Sequence, residues 1–75
     1  MPSIDDTIFF EIMTEVLEED VDNLEFELDE ISWSSIAVVS CLAEFDEKFG
    51  ILLNGDELSE CKSVGDVHAM LLKDS

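Results

Sequence analysis

An apolar stripe in the middle of the chain is the feature that most constrains the fold. Its members recur at the three- and four-residue spacing of a single helix face: Val38, Cys41, Leu42, Phe45 and Phe49. Ser34, a residue type preferred at helix N-caps, precedes the stripe, and Trp33 is placed to pack on Val38 as a hydrophobic staple. Gly50 follows the stripe and suits a left-handed C-cap. These features predict a helix from about Ser35 to Phe49.

Three further helices are predicted from the same kind of pattern. The first runs from about Ser3 to Leu17, with a capping-box spacing at Ser3 and Asp6 and an apolar face of Phe9, Ile12, Met13 and Val16. A short helix is possible between Asp56 and Cys61. The last runs from about Ser63 to Leu72, and its apolar face consists of Val64, Val67, His68 and Leu71.

The helical pattern is lost between Glu18 and Ser34. We expect a long loop here, held to the core by its apolar residues, Leu24, Phe26, Leu28 and Ile31. The alternation from Leu24 to Leu28 is too brief to predict a strand. The expected fold is therefore all-α: a small bundle of three longer helices plus one short helix, with a long loop between helices one and two, in a single domain over residues 1–75.

Charge narrows the classes of partner. The chain has 20 acidic residues against three lysines, a formal net charge of −17. Phosphate binding needs basic side chains, so we expect no nucleic-acid partner and no anionic membrane surface. Partners should instead carry basic patches. With no secretory signal and no apolar run long enough to span a bilayer, the chain is expected to be soluble and cytoplasmic. It is also expected to be a monomer.

Catalytic and metal sites are not expected. Cys41 and Cys61 lack the spacing of a zinc site and are interpreted as buried, reduced thiols. The single histidine, His68, lies on an apolar helix face and is more typical of a core edge than of a catalyst. A calcium loop starting at Asp20 would need a glycine at its sixth position, where the chain has Glu25.

Ser35 is the residue best placed to carry chemistry. It opens the predicted second helix, directly after the long loop. A helix N-terminus presents unpaired N–H groups and a partial positive charge, so it can stabilise a phosphate. A serine at such a position can also serve simply as a cap, and the residue pattern alone does not separate the two roles.

The surrounding sequence resembles the acyl carrier protein family. The resemblance lies in Leu28-x-x-Ile31-x-Trp33-x-Ser35-Ile36, then in Leu42 through Phe49-Gly50-Ile51, Leu58 and Ser63-Val64. It implies that a phosphopantetheinyl transferase attaches 4'-phosphopantetheine from coenzyme A to Ser35. The arm's thiol would hold acyl intermediates as thioesters, for fatty acid, polyketide or related specialised biosynthesis. Acyl-transferring or condensing enzymes with basic patches would be the partners.

The chain departs from the family at one motif position and along helix two. Ser34 stands where the family usually has aspartate, and the expected partner-recognition face is unusually apolar: Ala37, Val39, Ser40, Ala43, Glu44 and Glu47. These departures favour a specialised carrier. The resemblance also implies an interior that shelters the acyl chain among Phe9, Ile12, Cys41, Leu42, Phe45 and Val67. Two alternatives remain open: an aminoacyl or peptidyl carrier, and an acidic helical interaction module without an arm.

Overall fold

The computed structural model describes residues 5–29 and 31–74, which form four helices. They are α1 (Asp6–Leu17), α2 (Ser35–Phe49), α3 (Gly55–Ser59) and α4 (Val64–Asp74). No strand occurs in this part of the chain, although one isolated antiparallel bridge joins Glu27 to Ser63. The predicted all-α architecture, with three longer helices, one short helix and a long first loop, is confirmed.

The start of α1 differs from the prediction, whereas its end at Leu17 agrees with it. The helix begins at Asp6, and Asp5 is its N-cap, because the Asp5 carboxylate accepts hydrogen bonds from the N–H groups of Thr7 and Ile8. The predicted cap at Ser3 lies outside the described residues. At the other end, Glu18 adopts the left-handed conformation, with φ 58°. A side chain at such a position is strained, and glycine is the residue usually found there.

The ends of α2 match the prediction. The Ala37 N–H donates to the Ser34 hydroxyl at 3.3 Å, so Ser34 is the N-cap. At the C-cap, Gly50 has φ 69° and its N–H donates to the Asp46 carbonyl at 2.9 Å. Gly50 is suited to this left-handed position because it has no Cβ.

The core is formed by apolar side chains from all four helices and the loops between them. The largest fully buried members are Phe9, Phe45, Met13, Leu58, Leu71, Val64, Val67 and Cys41. The Phe9 ring stacks against Phe45 at 6.1 Å between centroids and meets the His68 ring edge-on at 4.9 Å. Phe9 of α1 therefore contacts both α2 and α4.

The residues that hold the long loop to the core are not all the ones predicted from the sequence. Ile31 is 91% exposed and Leu24 is 41% exposed, so neither is a buried anchor, and the prediction was wrong for both. Val21, inside the acidic run, is buried instead. Its N–H donates to the Thr14 hydroxyl at 3.1 Å, and that hydroxyl donates to the Val21 carbonyl at 3.3 Å. Phe26 and Leu28 pack against the core as half-buried side chains.

Backbone hydrogen bonds attach the loop to the start of α4. Leu28 N–H donates to the Lys62 carbonyl, Val64 N–H to Phe26, and Gly65 N–H to Leu24, at distances of 2.8–2.9 Å. The approach is so close that a Cβ on Gly65 would lie 2.9 Å from the Leu24 carbonyl oxygen. Glycine is therefore required at the beginning of α4.

Candidate functional site

The two adjacent serines at the amino end of α2, Ser34 and Ser35, differ in their hydrogen bonds. The Ser34 hydroxyl accepts from Ala37 N–H, and the Ser34 carbonyl accepts from Val38 N–H at 3.0 Å. Ser35 is exposed, and its hydroxyl has no hydrogen-bond partner within residues 5–29 and 31–74. The capping role is thus filled by Ser34, which leaves the Ser35 hydroxyl accessible for modification.

The segment before the site is fixed by Asp29. The Ser32 N–H donates to the Asp29 carboxylate and the Trp33 N–H donates to the Asp29 carbonyl, both at 2.7 Å. The hydrogen bond from the Ser32 N–H lowers the pKa of the Asp29 carboxyl from its ordinary value, because it stabilises the charged form. These two bonds hold the backbone of Ser32 and Trp33, directly before the two serines.

The electrostatic environment of the site is unusual for this chain. Among the four helices in the described residues, α2 alone has no acidic residue in its first turn. The other first turns contain Asp6, Asp56 with Glu57, and Asp66, which balance the positive end of each helix dipole. At α2 this partial charge has no carboxylate of the first turn to balance it, so an external anion such as a phosphate is favoured there.

The predicted recognition face separates into an outer and an inner row. Val39 is 62% exposed, and Ala43 and Glu47 beside it are also exposed. Ala37 is only 6% exposed, because its side chain is turned into the core, so its assignment to an exposed face was wrong. Ser40 and Glu44 are half-buried and line a groove against α1.

The most exposed apolar side chains near Ser35 were not assigned to the face from the sequence. Ile36, its neighbour, is 79% exposed, and Ile31, in the preceding turn, is 91% exposed. Their position after a loop and at a helix start could have suggested exposure, but Ile31 was interpreted as a loop anchor. Together with Val39 they give the surface around Ser35 an apolar character that suits contact with a protein partner.

The acids on the distal part of α2 are partly paired within the chain. Lys48 Nζ lies 3.3 Å from Glu44 and 3.7 Å from Glu47. The hydrogen bond to Glu44 and the nearby negative charges raise the pKa of Lys48. A partner that uses these carboxylates must therefore compete with this lysine.

The thiols and the histidine occupy structural positions. Cys41 is buried, and burial raises the pKa of its thiol to about 12. Cys61 is half-buried rather than fully buried, and burial raises its thiol pKa to about 11. His68 Nε2 lies 2.9 Å from an Asp6 carboxylate oxygen, which joins α4 to the start of α1.

The six residues expected to surround an acyl chain do meet in the interior. Five of them are at most 3% exposed: Phe9, Ile12, Cys41, Phe45 and Val67. Leu42 is half-buried and packs against this cluster. An acyl chain entering here would have to displace side chains that already contact one another.

Comparisons with protein-family models, with curated proteins and with solved structures found no match to this chain. Within the described residues, no helix is both long enough and apolar enough to cross a bilayer. The same residues contain no cluster of three or more histidine, cysteine, aspartate or glutamate side chains arranged to hold a metal ion.

Proposed function

We propose that this chain is an acyl carrier protein whose phosphopantetheine arm is attached to Ser35. The observation that carries the proposal is the division of roles at the start of α2, where Ser34 caps the helix and the exposed Ser35 hydroxyl is left without a partner in the described structure. A serine needed only for capping would resemble Ser34. Within the described residues, the Ser35 hydroxyl makes no capping hydrogen bond of this kind.

The residues around Ser35 fit the phosphodiester of such an arm. The first turn of α2 has no carboxylate, so the helix dipole favours an anion beside Ser35. The side chains of Ile31 and Ile36 are largely exposed, and they offer an enzyme an apolar contact next to the attachment point. When bound, the arm supplies a thiol that holds the acyl group as a thioester.

The carrier itself would act by delivery rather than by catalysis. A tethered acyl group reaches a docked enzyme at a high effective concentration, because its delivery becomes intramolecular. The acidic surface would steer the carrier to enzymes with basic patches. The pathway would be fatty acid, polyketide or related specialised biosynthesis, and a helix-two surface more apolar than is usual in carriers favours a specialised carrier.

Phosphopantetheinylation of the apo-protein tests the proposal. Incubation with coenzyme A, magnesium and a broad-specificity transferase should add one phosphopantetheinyl group, seen by intact mass, and Ser35→Ala should abolish the addition while keeping the helical circular dichroism. Ser34→Asp is the matched control, since aspartate caps a helix as well as serine does. It should be modified at least as fast as the wild type, because it restores the usual family motif.

Two outcomes would change the assignment. Ser34→Ala removes the cap and should cost about 1 kcal/mol of stability, yet it should still be modified. If Ser34→Ala abolishes the modification and Ser35→Ala does not, the attachment site is Ser34 rather than Ser35. If no transferase modifies the wild-type chain, the interaction module without an arm becomes the better interpretation.

A further inference from the structure

An Asn-Gly pair, Asn54-Gly55, lies where the chain enters α3. The backbone nitrogen of such a glycine can attack Cγ of the asparagine, because glycine has no Cβ to hinder the approach. A bond then forms between Gly55 N and Asn54 Cγ, the bond from Cγ to Nδ2 breaks, and ammonia leaves with the proton of the Gly55 N–H. Water opens the resulting succinimide at either carbonyl and gives aspartate or isoaspartate. Asn54 is exposed and Gly55 is half-buried, so water has access to the pair.

The native backbone holds Asn54 in a conformation that cannot cyclise. Its φ is −80° and its ψ is 122°, which is extended. Ring closure requires the Asn54 Cβ and the Gly55 nitrogen to be eclipsed about the Cα–C bond. An L residue reaches this arrangement only at a strongly negative ψ, outside the main allowed regions of the backbone. Asn54 must therefore leave its native conformation before the reaction can begin.

Two hydrogen bonds hold that conformation. The Asn54 side-chain oxygen accepts from Glu57 N–H at 3.1 Å, and the Asn54 carbonyl accepts from Leu58 N–H at 2.9 Å. The first bond fixes the side chain that contains Cγ, and the second fixes the peptide that contains the attacking nitrogen. Rotation of Asn54 towards the cyclising geometry breaks both, so the reaction requires the start of α3 to open.

The short helix α3 depends on tertiary contacts for its stability. It has five residues, fewer than an isolated helix needs to be stable in water. Leu58 is fully buried, and its carbonyl accepts the hydrogen bond from the Trp33 indole. A segment held by few contacts opens locally at a lower free energy than the whole protein unfolds.

We propose that Asn54-Gly55 is a site of spontaneous deamidation whose rate is set by the opening of α3. The isoaspartate product inserts a methylene group into the backbone at the N-cap, so it disrupts the cap and weakens the contact of Leu58 with Trp33. The aspartate product caps a helix as well as asparagine does and leaves α3 in place. The reaction does not depend on Ser35 or on its modification.

Timed incubation of the full chain at mildly alkaline pH, with and without guanidinium chloride, tests the proposal. The chain has no glutamine, so Asn23 and Asn54 are its only side-chain amides, and intact mass with peptide mapping resolves them. Asn54 should convert several-fold more slowly in the native state than in the denaturant. Isoaspartate should be among the products, detected by its methylation with an isoaspartyl methyltransferase.

Asn23 is a matched control within the same chain. Its side-chain oxygen also accepts a backbone N–H, from Glu25 at 2.9 Å, but the following residue is Leu24, whose side chain hinders the attack. It should convert many-fold more slowly than Asn54 in the denaturant. Equal rates at the two asparagines there, or no conversion of Asn54, would overturn the assignment of the site.

Two variants separate the chemistry from the opening of α3. Gly55→Ala should slow the reaction many-fold in the denaturant, and in the folded chain its Cβ would meet the tip of the Leu42 side chain at 3.3 Å. Trp33→Phe should speed conversion of Asn54 several-fold in the native state and leave the rate in the denaturant unchanged. An unchanged native rate in Trp33→Phe, or equal native and denatured rates in the wild type, would overturn the control by α3.

Discussion

The indole N–H of Trp33 donates a 2.9 Å hydrogen bond to the backbone carbonyl of Leu58. Both residues are buried, and 25 positions separate them in the sequence. Trp33 immediately precedes the N-cap of α2, so this bond connects the candidate site to α3. The location of Ser35 thus depends on a contact outside its own helix.

Replacing the indole tests how much this bond contributes. In Trp33→Phe the Leu58 carbonyl keeps the hydrogen bond from Cys61 N–H at 3.1 Å, so it is not left unsatisfied. We expect the loss of the bond to cost about 0.5–1.5 kcal/mol, read from urea unfolding followed by circular dichroism. Trp33→Ala also removes the ring and should cost about 3–5 kcal/mol. Equal losses in the two variants would show that the hydrogen bond contributes and packing does not.

Relief of the strain at Glu18 should stabilise the protein. Glu18→Gly removes the Cβ from a left-handed position and should raise the free energy of unfolding by about 1 kcal/mol. Glu18→Ala is the matched control, because it removes the same charge but retains the Cβ. If Ala stabilises as much as Gly, charge rather than backbone conformation limits this position.

High pH should destabilise the fold through Cys41. Burial raises its thiol pKa from 9.0 to about 12, so the folded state resists an ionisation that the unfolded chain undergoes more readily. Stability is fully present below pH 9 and should fall as the pH rises from there towards 12. The chain has no tyrosine to titrate in this range. Melting temperatures measured across it should fall less in Cys41→Val, and an identical decline would exclude Cys41 as the cause.

Salt should stabilise the protein because like charges dominate its surface. With a formal net charge of −17, raising the ionic strength from about 0.01 M to 1 M shortens the Debye length from about 30 Å to 3 Å and screens the repulsion. The melting temperature should rise over this range. The rise should be smaller in a Glu25→Gln/Glu57→Gln double variant. A melting temperature independent of salt would contradict self-repulsion as a limit on stability.

Local sequence patterns predicted the helices well. The bounds of α2 follow from Ser34, Gly50 and the apolar spacing between them, since capping and periodicity act within a few residues. The predicted roles of Ser34 as cap and Ser35 as the first helical residue also agree with the structure. The residues that determine these features lie within the helix or directly beside it in the sequence.

The loop and the groove could not be predicted in this way. Whether Ile31 or Val21 enters the core depends on the path of the backbone, which is set by distant partners such as Thr14 and Lys62. Hydrophobicity alone does not give the direction of a side chain in a segment without periodicity. Likewise, Ala37 could be separated from Val39 only after the packing of α1 on α2 was known.

The bridge between the long loop and α4 has a consequence for local opening. Its hydrogen bonds join the amides of Leu28, Val64 and Gly65 to acceptors more than 30 residues away, so none of them survives if either segment detaches. Native-state hydrogen exchange should therefore give these three amides one common opening free energy. Detachment of the loop would therefore release the amino end of α4 as well, while the Ser34 cap of α2 stays intact.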